Sequence, residues 1–147
     1  MGADSWMYIV SFEPDIAAAL SALRQREFHD TVTGSGWPAD WPQPSTIDEF
    51  RVLIDETHSS VGGILELDGR LIGPGGEDEL LAMRLLSPTE VRAVFGTDHP
   101  TPENFERAHA ASRPALEPDR RDQGRCTVLY DRWGEPVRIA FWGISGD

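Results

Sequence analysis

The chain contains no lysine, because all 13 of its basic residues are arginines. A Walker phosphate loop, a pyridoxal Schiff base and a protein kinase active site each depend on a lysine ε-amine, so the sequence excludes these classes of protein. The single cysteine, Cys126, rules out an intramolecular disulfide and is one ligand where a thiolate zinc site needs several. We therefore predict no cofactor and no metal site.

Long apolar runs are also absent. No segment approaches the roughly 20 apolar residues that a membrane helix requires, and the first residues lack the basic and apolar regions of a signal peptide. A chain of 147 residues is the usual size of one domain that buries its own core. We expect a single domain over residues 1–147 that is cytoplasmic and does not bind membranes.

Negative charge is abundant and unevenly distributed. The net charge is −12, and residues 40–106 hold 14 acidic residues against 4 arginines. Such a field repels nucleic acid and attracts cationic partners, although solubility alone also explains an acidic surface. The sequence therefore excludes nucleic acid as a partner and indicates a basic protein, with the oligomeric state left open.

The first half of the chain predicts a strand, two helices and a loop. Residues 6–12 are apolar at nearly every position and predict a strand, and helical spacing of apolar residues follows from Pro14. Thr46 and Glu49 form a capping box that begins a second helix. Between the helices, residues 31–44 contain a repeated Trp-Pro pair at Trp37 and Trp41, and we call this segment the Trp-Pro loop. Its tryptophans either anchor the loop to the core or are contact residues for a partner.

The second half predicts further strands and helices. We expect a strand over residues 61–67, a turn at Asp68-Gly69 with residues 70–72 as its hairpin partner, and a strand over residues 80–86. Two short helices begin at the caps Ser87 and Thr101, the first ending at Gly96. Residues 113–124 are polar and charged, which is typical of a surface linker.

The chain closes with a β-hairpin over residues 125–144, in which apolar and polar residues alternate around a turn at Gly134. The order of elements lacks the strict alternation of a doubly wound fold. We therefore predict an α+β domain with an antiparallel or mixed sheet, about four helices and a C-terminal hairpin.

Candidate catalytic groups are few. Asp55, Glu56 and His58, near the end of the second helix, form the densest ionisable cluster. A general acid and base need pKa values that burial pushes apart. The predicted buried stripe of this helix does not include these residues, since it consists of Ile47, Phe50, Leu53 and Ile54. The acidic run Glu77, Asp78 and Glu79 follows a glycine-rich turn and would repel a phosphate.

A pattern of residues over the second half resembles a family of small uncharacterised bacterial proteins of actinobacterial type. The resemblance is clearest over residues 85–147 and thinner over residues 14–70. It includes the following residues: Arg26, Glu27, Phe28, Leu86, Ser87, Phe95, Gly96, Thr97, Pro100, Thr101, Gly124, Arg125, Leu129, Tyr130, Gly134, Pro136, Phe141, Gly143 and Ser145. The family has an aromatic residue at the position of Cys126, which argues against thiol chemistry. The resemblance implies no activity and no functional residue.

Two functional hypotheses follow. The first is a non-enzymatic interaction module, similar to an immunity or antitoxin protein, that docks a basic protein through its acidic middle. Its partner-binding residues would be the tryptophans Trp37 and Trp41 and the acidic run, that is Glu77, Asp78 and Glu79. The alternative is a small enzyme or ligand-binding domain with a pocket near the Trp-Pro loop that uses Asp55, Glu56 or His58.

Overall fold

The computed structural model describes residues 5–59, 61–111 and 115–145. Its sheet has five strands, ordered β1-β5-β4-β3-β2. The strands are β1 (Ser5–Ser11), β2 (Leu71–Ile72), β3 (Met83–Leu85), β4 (Gln123–Tyr130) and β5 (Pro136–Ile144). β5 is antiparallel to both β1 and β4, whereas β2, β3 and β4 are parallel, so the sheet is mixed.

The described residues form four α-helices: α1 (Ile16–Thr33), α2 (Ile47–Glu56), α3 (Pro88–Phe95) and α4 (Pro102–Ala110). Alternation along β5 separates two hydrophobic clusters. Ile139 and Phe141 face α1 and α2, while Ala140 and Trp142 face α3 and α4. The sheet is therefore covered on both faces, and the predicted α+β class is confirmed.

The C-terminal hairpin is confirmed and lies in the centre of the sheet. β5 pairs with β1 on one side and with β4 on the other, and β4 pairs in turn with β3. Gly134 has the positive φ, 83°, that the turn requires. Close packing also needs Gly143, since a Cβ there would lie 2.5 Å from the Trp6 ring.

The predicted helix starts at Thr46, Ser87 and Thr101 are confirmed, although Glu49 accepts from the Ser45 amide and not from the Thr46 amide that the predicted capping box requires. The side chains of Thr46, Ser87 and Thr101 each accept a hydrogen bond from the backbone N–H three residues later. Gly96 ends α3 in the left-handed conformation, with φ 75°. Such caps depend on neighbours in sequence, so the sequence alone predicts them well.

The predicted strand over residues 61–67 is wrong. Gly63–Glu66 is a short 3-10 helix, with Ile64, Leu65 and Leu67 buried under the sheet. Gly63 has φ 83°, and a Cβ there would lie 2.3 Å from the Tyr8 hydroxyl oxygen. The Tyr8 hydroxyl oxygen also accepts a hydrogen bond from the Ile64 amide at 3.4 Å. A short apolar run does not determine its own period, so the sequence alone does not distinguish this helical turn from a strand.

The hairpin expected at Asp68-Gly69 is also wrong, because Leu71 and Ile72 pair in parallel with Met83 and Arg84. The Asp68 amide instead donates to the Leu81 carbonyl at 2.8 Å. Residues 80–86 contain a strand as predicted, although it is limited to β3.

The predicted surface linker, residues 113–124, is only partly external. Leu116 is fully buried, and its carbonyl accepts a hydrogen bond from the Trp142 indole at 2.9 Å. Residues 113 and 114 lie outside the described part of the chain. One apolar residue within a charged segment gave no periodic signal, so the sequence did not reveal this contact.

Candidate functional site

The orientation of α2 is fixed by its buried side. Ile47 and Phe50 point into the core, and the Phe50 ring meets the Phe28 ring edge to face at 5.9 Å between centroids. At the start of the helix, Thr46 Oγ1 accepts from the Glu49 amide at 3.1 Å, and Glu49 Oε1 accepts from the Ser45 amide. The opposite side of α2 consequently faces solvent.

The one basic residue of α2, Arg51, is turned away from that outer side. Its guanidinium donates to the Leu67 carbonyl at 3.1 Å and to the Glu66 carbonyl at 3.4 Å. Arg24 donates to the same Leu67 carbonyl at 2.9 Å. These bonds hold the 3-10 helix against α1 and α2, and they direct the Arg51 charge toward backbone oxygens.

The outer side of α2 carries four exposed carboxylates around Val52, which is 56% exposed. We call this set, Asp48, Glu49, Asp55 and Glu56, the acidic patch. Its members stand four and three residues before Val52 and three and four residues after it, which are the positions that neighbour one another on a helix surface. None of the four forms a salt bridge with a described residue.

Two of these carboxylates lie at the unfavourable end of the helix. Asp55 and Glu56 occupy the last turn of α2, which has no basic residue. The C-terminal end of a helix carries partial negative charge, so carboxylates there reduce the stability of the helix. Fold stability therefore does not explain why these two residues are acidic.

An apolar groove of about 450 Å³ runs between the end of the Trp-Pro loop and α2. We call it the proline groove. Its apolar lining consists of Pro42, Pro44, Val52 and Leu53. Three members of the acidic patch also line it, namely Asp48, Glu49 and Glu56. It thus combines an apolar floor with a rim of negative charge.

The Trp-Pro loop is anchored to the core. Trp37 packs against Phe50 with 5.9 Å between ring centroids, and Trp41 meets Trp37 edge to face at 5.3 Å. Gln43 Nε2 donates to the Val32 carbonyl at 2.6 Å, which ties the end of the loop to α1. Both indoles are half-buried, and Trp37 in particular serves as a structural anchor.

The acidic run is divided between solvent and interior. Glu77 and Glu79 are exposed, and Glu79 pairs with Arg70 at 3.1 Å. The Asp78 side chain is 1% exposed and pairs with Arg84 at 2.6 Å and with Arg125 at 2.7 Å. Asp78 thus joins β3 to β4 on the face covered by α3 and α4, and its carboxylate is inaccessible to a partner.

The ion pairs of this buried cluster lower the pKa values of two carboxyl groups, those of Asp78 and Glu90. Burial acts to raise the pKa of Asp78, but hydrogen bonds from Arg125 and Arg84 outweigh it, so the pKa lies below its ordinary value. The hydrogen bond from Arg84 likewise lowers the pKa of Glu90. The Asp78 carboxylate also accepts a hydrogen bond from the Asp119 amide at 3.1 Å, so it holds three separate segments together.

The candidate catalytic residues do not converge. Asp55 lines an open groove of about 690 Å³ beside Leu81 and Asp122, whereas Glu56 lines the proline groove. His58 is exposed just beyond α2, with φ 52°. Cys126 is fully buried, and burial raises the pKa of its thiol. The structure therefore does not bring Asp55, Glu56 and His58 together in one cavity.

The described residues hold neither a cluster of metal ligands nor a membrane-spanning helix. Residues 5–59, 61–111 and 115–145 contain no group of three His, Cys, Asp or Glu side chains placed to hold a metal ion. Nor do they contain a helix with the length and apolar character needed to cross a membrane. No protein family, curated protein or solved structure matches the chain.

Sequence reasoning missed Val52 and the proline groove. The buried stripe of α2 was predicted from Ile47, Phe50, Leu53 and Ile54, and Val52 falls outside it. The surface could have been predicted from one signal, which is an apolar residue on the polar side of a helix with acidic residues one turn before it and one turn after it.

Proposed function

We propose that the chain is a non-enzymatic interaction module that docks a basic protein through the acidic patch of α2. The partner would be a basic protein such as a bacterial toxin, which the chain would bind in the manner of an immunity or antitoxin protein. The proposal places the contact on α2 and the adjoining Trp-Pro loop, with Glu77 and Glu79 as further exposed acids. Asp78 has no part in it, because its carboxylate is occupied by Arg84 and Arg125.

One observation carries the proposal: four exposed carboxylates stand together without a salt bridge, and two of them oppose the helix dipole. Elsewhere in the acidic middle, five acidic residues form salt bridges with arginines, as in the pairs of Asp68 with Arg70 and of Asp98 with Arg92. Unpaired charge on one surface speeds the capture of an oppositely charged protein. The acidic patch therefore fits a basic partner better than an enzyme active site.

A matched pair of double substitutions tests this proposal. Asp55→Asn with Glu56→Gln removes two negative charges from the acidic patch, and Glu103→Gln with Glu106→Gln removes two from α4, on the other face of the sheet. Each immobilised variant is used to capture proteins from a bacterial lysate at low salt, and the retained proteins are identified by mass spectrometry.

We expect a basic protein that the wild type and the α4 variant both retain and that the α2 variant loses by about tenfold. Loss from both variants alike would show that net charge, rather than the acidic patch, is responsible. Retention of no basic protein by the wild type would contradict the proposed function itself.

A further inference from the structure

The proline groove gives the proposed interaction a second component besides charge. We propose that it receives an apolar side chain from a segment of the basic partner in which arginines or lysines flank that side chain. This inference rests on the proposed function and adds the chemistry of the segment that would be bound.

Val52 lies at the centre of the acidic patch. It is among the most exposed large apolar residues of the described chain, and it lies between the proline groove and the groove beside Leu81. Residues that carry binding energy are commonly apolar and central, with polar residues around them that exclude water. The arrangement of Val52 within the acidic patch has this form.

The lining of the proline groove is complementary in charge to a basic segment. Asp48, Glu49 and Glu56 line the same groove as the apolar residues Pro44, Val52 and Leu53. A partner side chain in the groove would lie within a few ångströms of carboxylates, so flanking cations would be attracted and flanking anions repelled. The groove therefore selects an apolar residue in a basic setting over an apolar residue in an acidic one.

The walls of the proline groove are held in place by contacts with α1 and the core. The Gln43 side chain is bonded to the Val32 carbonyl, and the Trp37 ring rests on Phe50 beneath α2. Walls that are fixed before binding reduce the entropy lost on association. The proline groove is thus a preformed feature, because both of its walls are tied to α1 and the core.

Two synthetic peptides test the inference by fluorescence anisotropy at one low ionic strength. The first has a Leu-Leu pair flanked on each side by three arginines, and the second has Ser-Ser in place of Leu-Leu. Both carry the same charge, so a difference in affinity reports the apolar contact alone. We expect the leucine peptide to bind the wild type about tenfold more tightly than the serine peptide.

The substitution Val52→Glu separates the two components, because it removes the apolar centre and adds a negative charge. The leucine peptide should lose its roughly tenfold advantage, while the serine peptide binds equally well or better. Leu80→Glu is the matched control, since Leu80 is 60% exposed and lies outside the groove. It adds the same charge and should leave the advantage intact.

Different outcomes of these measurements test the proline groove and the acidic patch separately. Equal binding of the two peptides, or equal effects of Val52→Glu and Leu80→Glu, would overturn the groove inference. If binding of the peptides nevertheless falls in the Asp55→Asn, Glu56→Gln variant, the acidic patch remains the binding surface. Failure of both peptides to bind would contradict both ideas.

Discussion

The carboxylate of Asp78 has a structural role, because it forms buried ion pairs with two arginines. Its sequence setting, between Glu77 and Glu79, predicts a solvated acidic run. In the fold it is the counter-ion of Arg84 and Arg125, which lie opposite each other on the parallel strands β3 and β4. Only the pairing of distant strands creates this environment, so no local pattern could have revealed it.

Replacement of Asp78 by asparagine should therefore destabilise the fold. The change leaves Arg84 and Arg125 in the interior without the charge that compensates them, and we expect a loss of about 3–5 kcal/mol in the free energy of unfolding at neutral pH. Urea denaturation monitored by circular dichroism measures it. Glu77→Gln is the control, and as an exposed neighbour it should change stability by less than about 0.5 kcal/mol.

We expect the loss of stability in the Asp78→Asn variant to depend on pH. The pKa of Asp78 is lower in the folded state than in the unfolded chain, so its ionised form stabilises the fold above the unfolded value of about 3.9. That contribution is lost as the pH falls through the folded value. The difference in stability between wild type and variant should be constant near pH 7 and should shrink below about pH 4. A difference unchanged at pH 3 would contradict this assignment.

At the scale of elements, α2 combines a favourable and an unfavourable charge distribution. Asp48 and Glu49 lie in its first turn, where the helix dipole stabilises negative charge, whereas Asp55 and Glu56 lie in its last. If Asp55 and Glu56 serve binding and not the fold, removing their negative charges should raise the free energy of unfolding.

We expect Asp55→Asn and Glu56→Gln each to raise the free energy of unfolding by about 0.3–1 kcal/mol at low salt. Asp48→Asn, at the other end of the same helix, should lower it by a similar amount. Thermal denaturation at low and high salt measures both effects, which should diminish as salt screens the charges. Destabilisation by all three substitutions would show that the acidic patch serves the fold.

Elements defined by neighbouring residues were predictable from the sequence. The caps of α2, α3 and α4 and the alternation in β4 and β5 depend on residues a few positions apart, and the predicted helices and hairpin are confirmed. The 3-10 helix, the parallel pairing of β2 and the burial of Leu116 depend on distant contacts, with Tyr8, Met83 and Trp142 respectively. No sequence period reports such contacts.

The candidate site was predictable in the same partial way. Its acidity and its place between residues 40 and 106 follow from composition. The groove does not, because it forms only when Gln43 and Trp37 draw the Trp-Pro loop against α1 and α2. The resemblance to a bacterial family stays a prediction.

At the scale of the whole molecule, the negative charge is divided into compensated and uncompensated regions. The interior cluster around Asp78 and the exposed pairs of Arg70 and Arg92 neutralise part of the acidic middle. The acidic patch on α2 forms no salt bridge with the described residues. An oppositely charged partner approaching the protein would thus be directed toward α2, with an effect that salt reduces.

The most direct test of this account is the rate at which the captured basic partner associates with the protein, measured by stopped flow from about 0.02 to 0.3 M salt. The account predicts a steep fall in rate with rising salt for the wild type and for the Glu103→Gln, Glu106→Gln variant. The Asp55→Asn, Glu56→Gln variant should show a clearly shallower dependence. A rate independent of salt, or the same slope for all three proteins, would contradict the central claim that the acidic patch of α2 captures a basic partner.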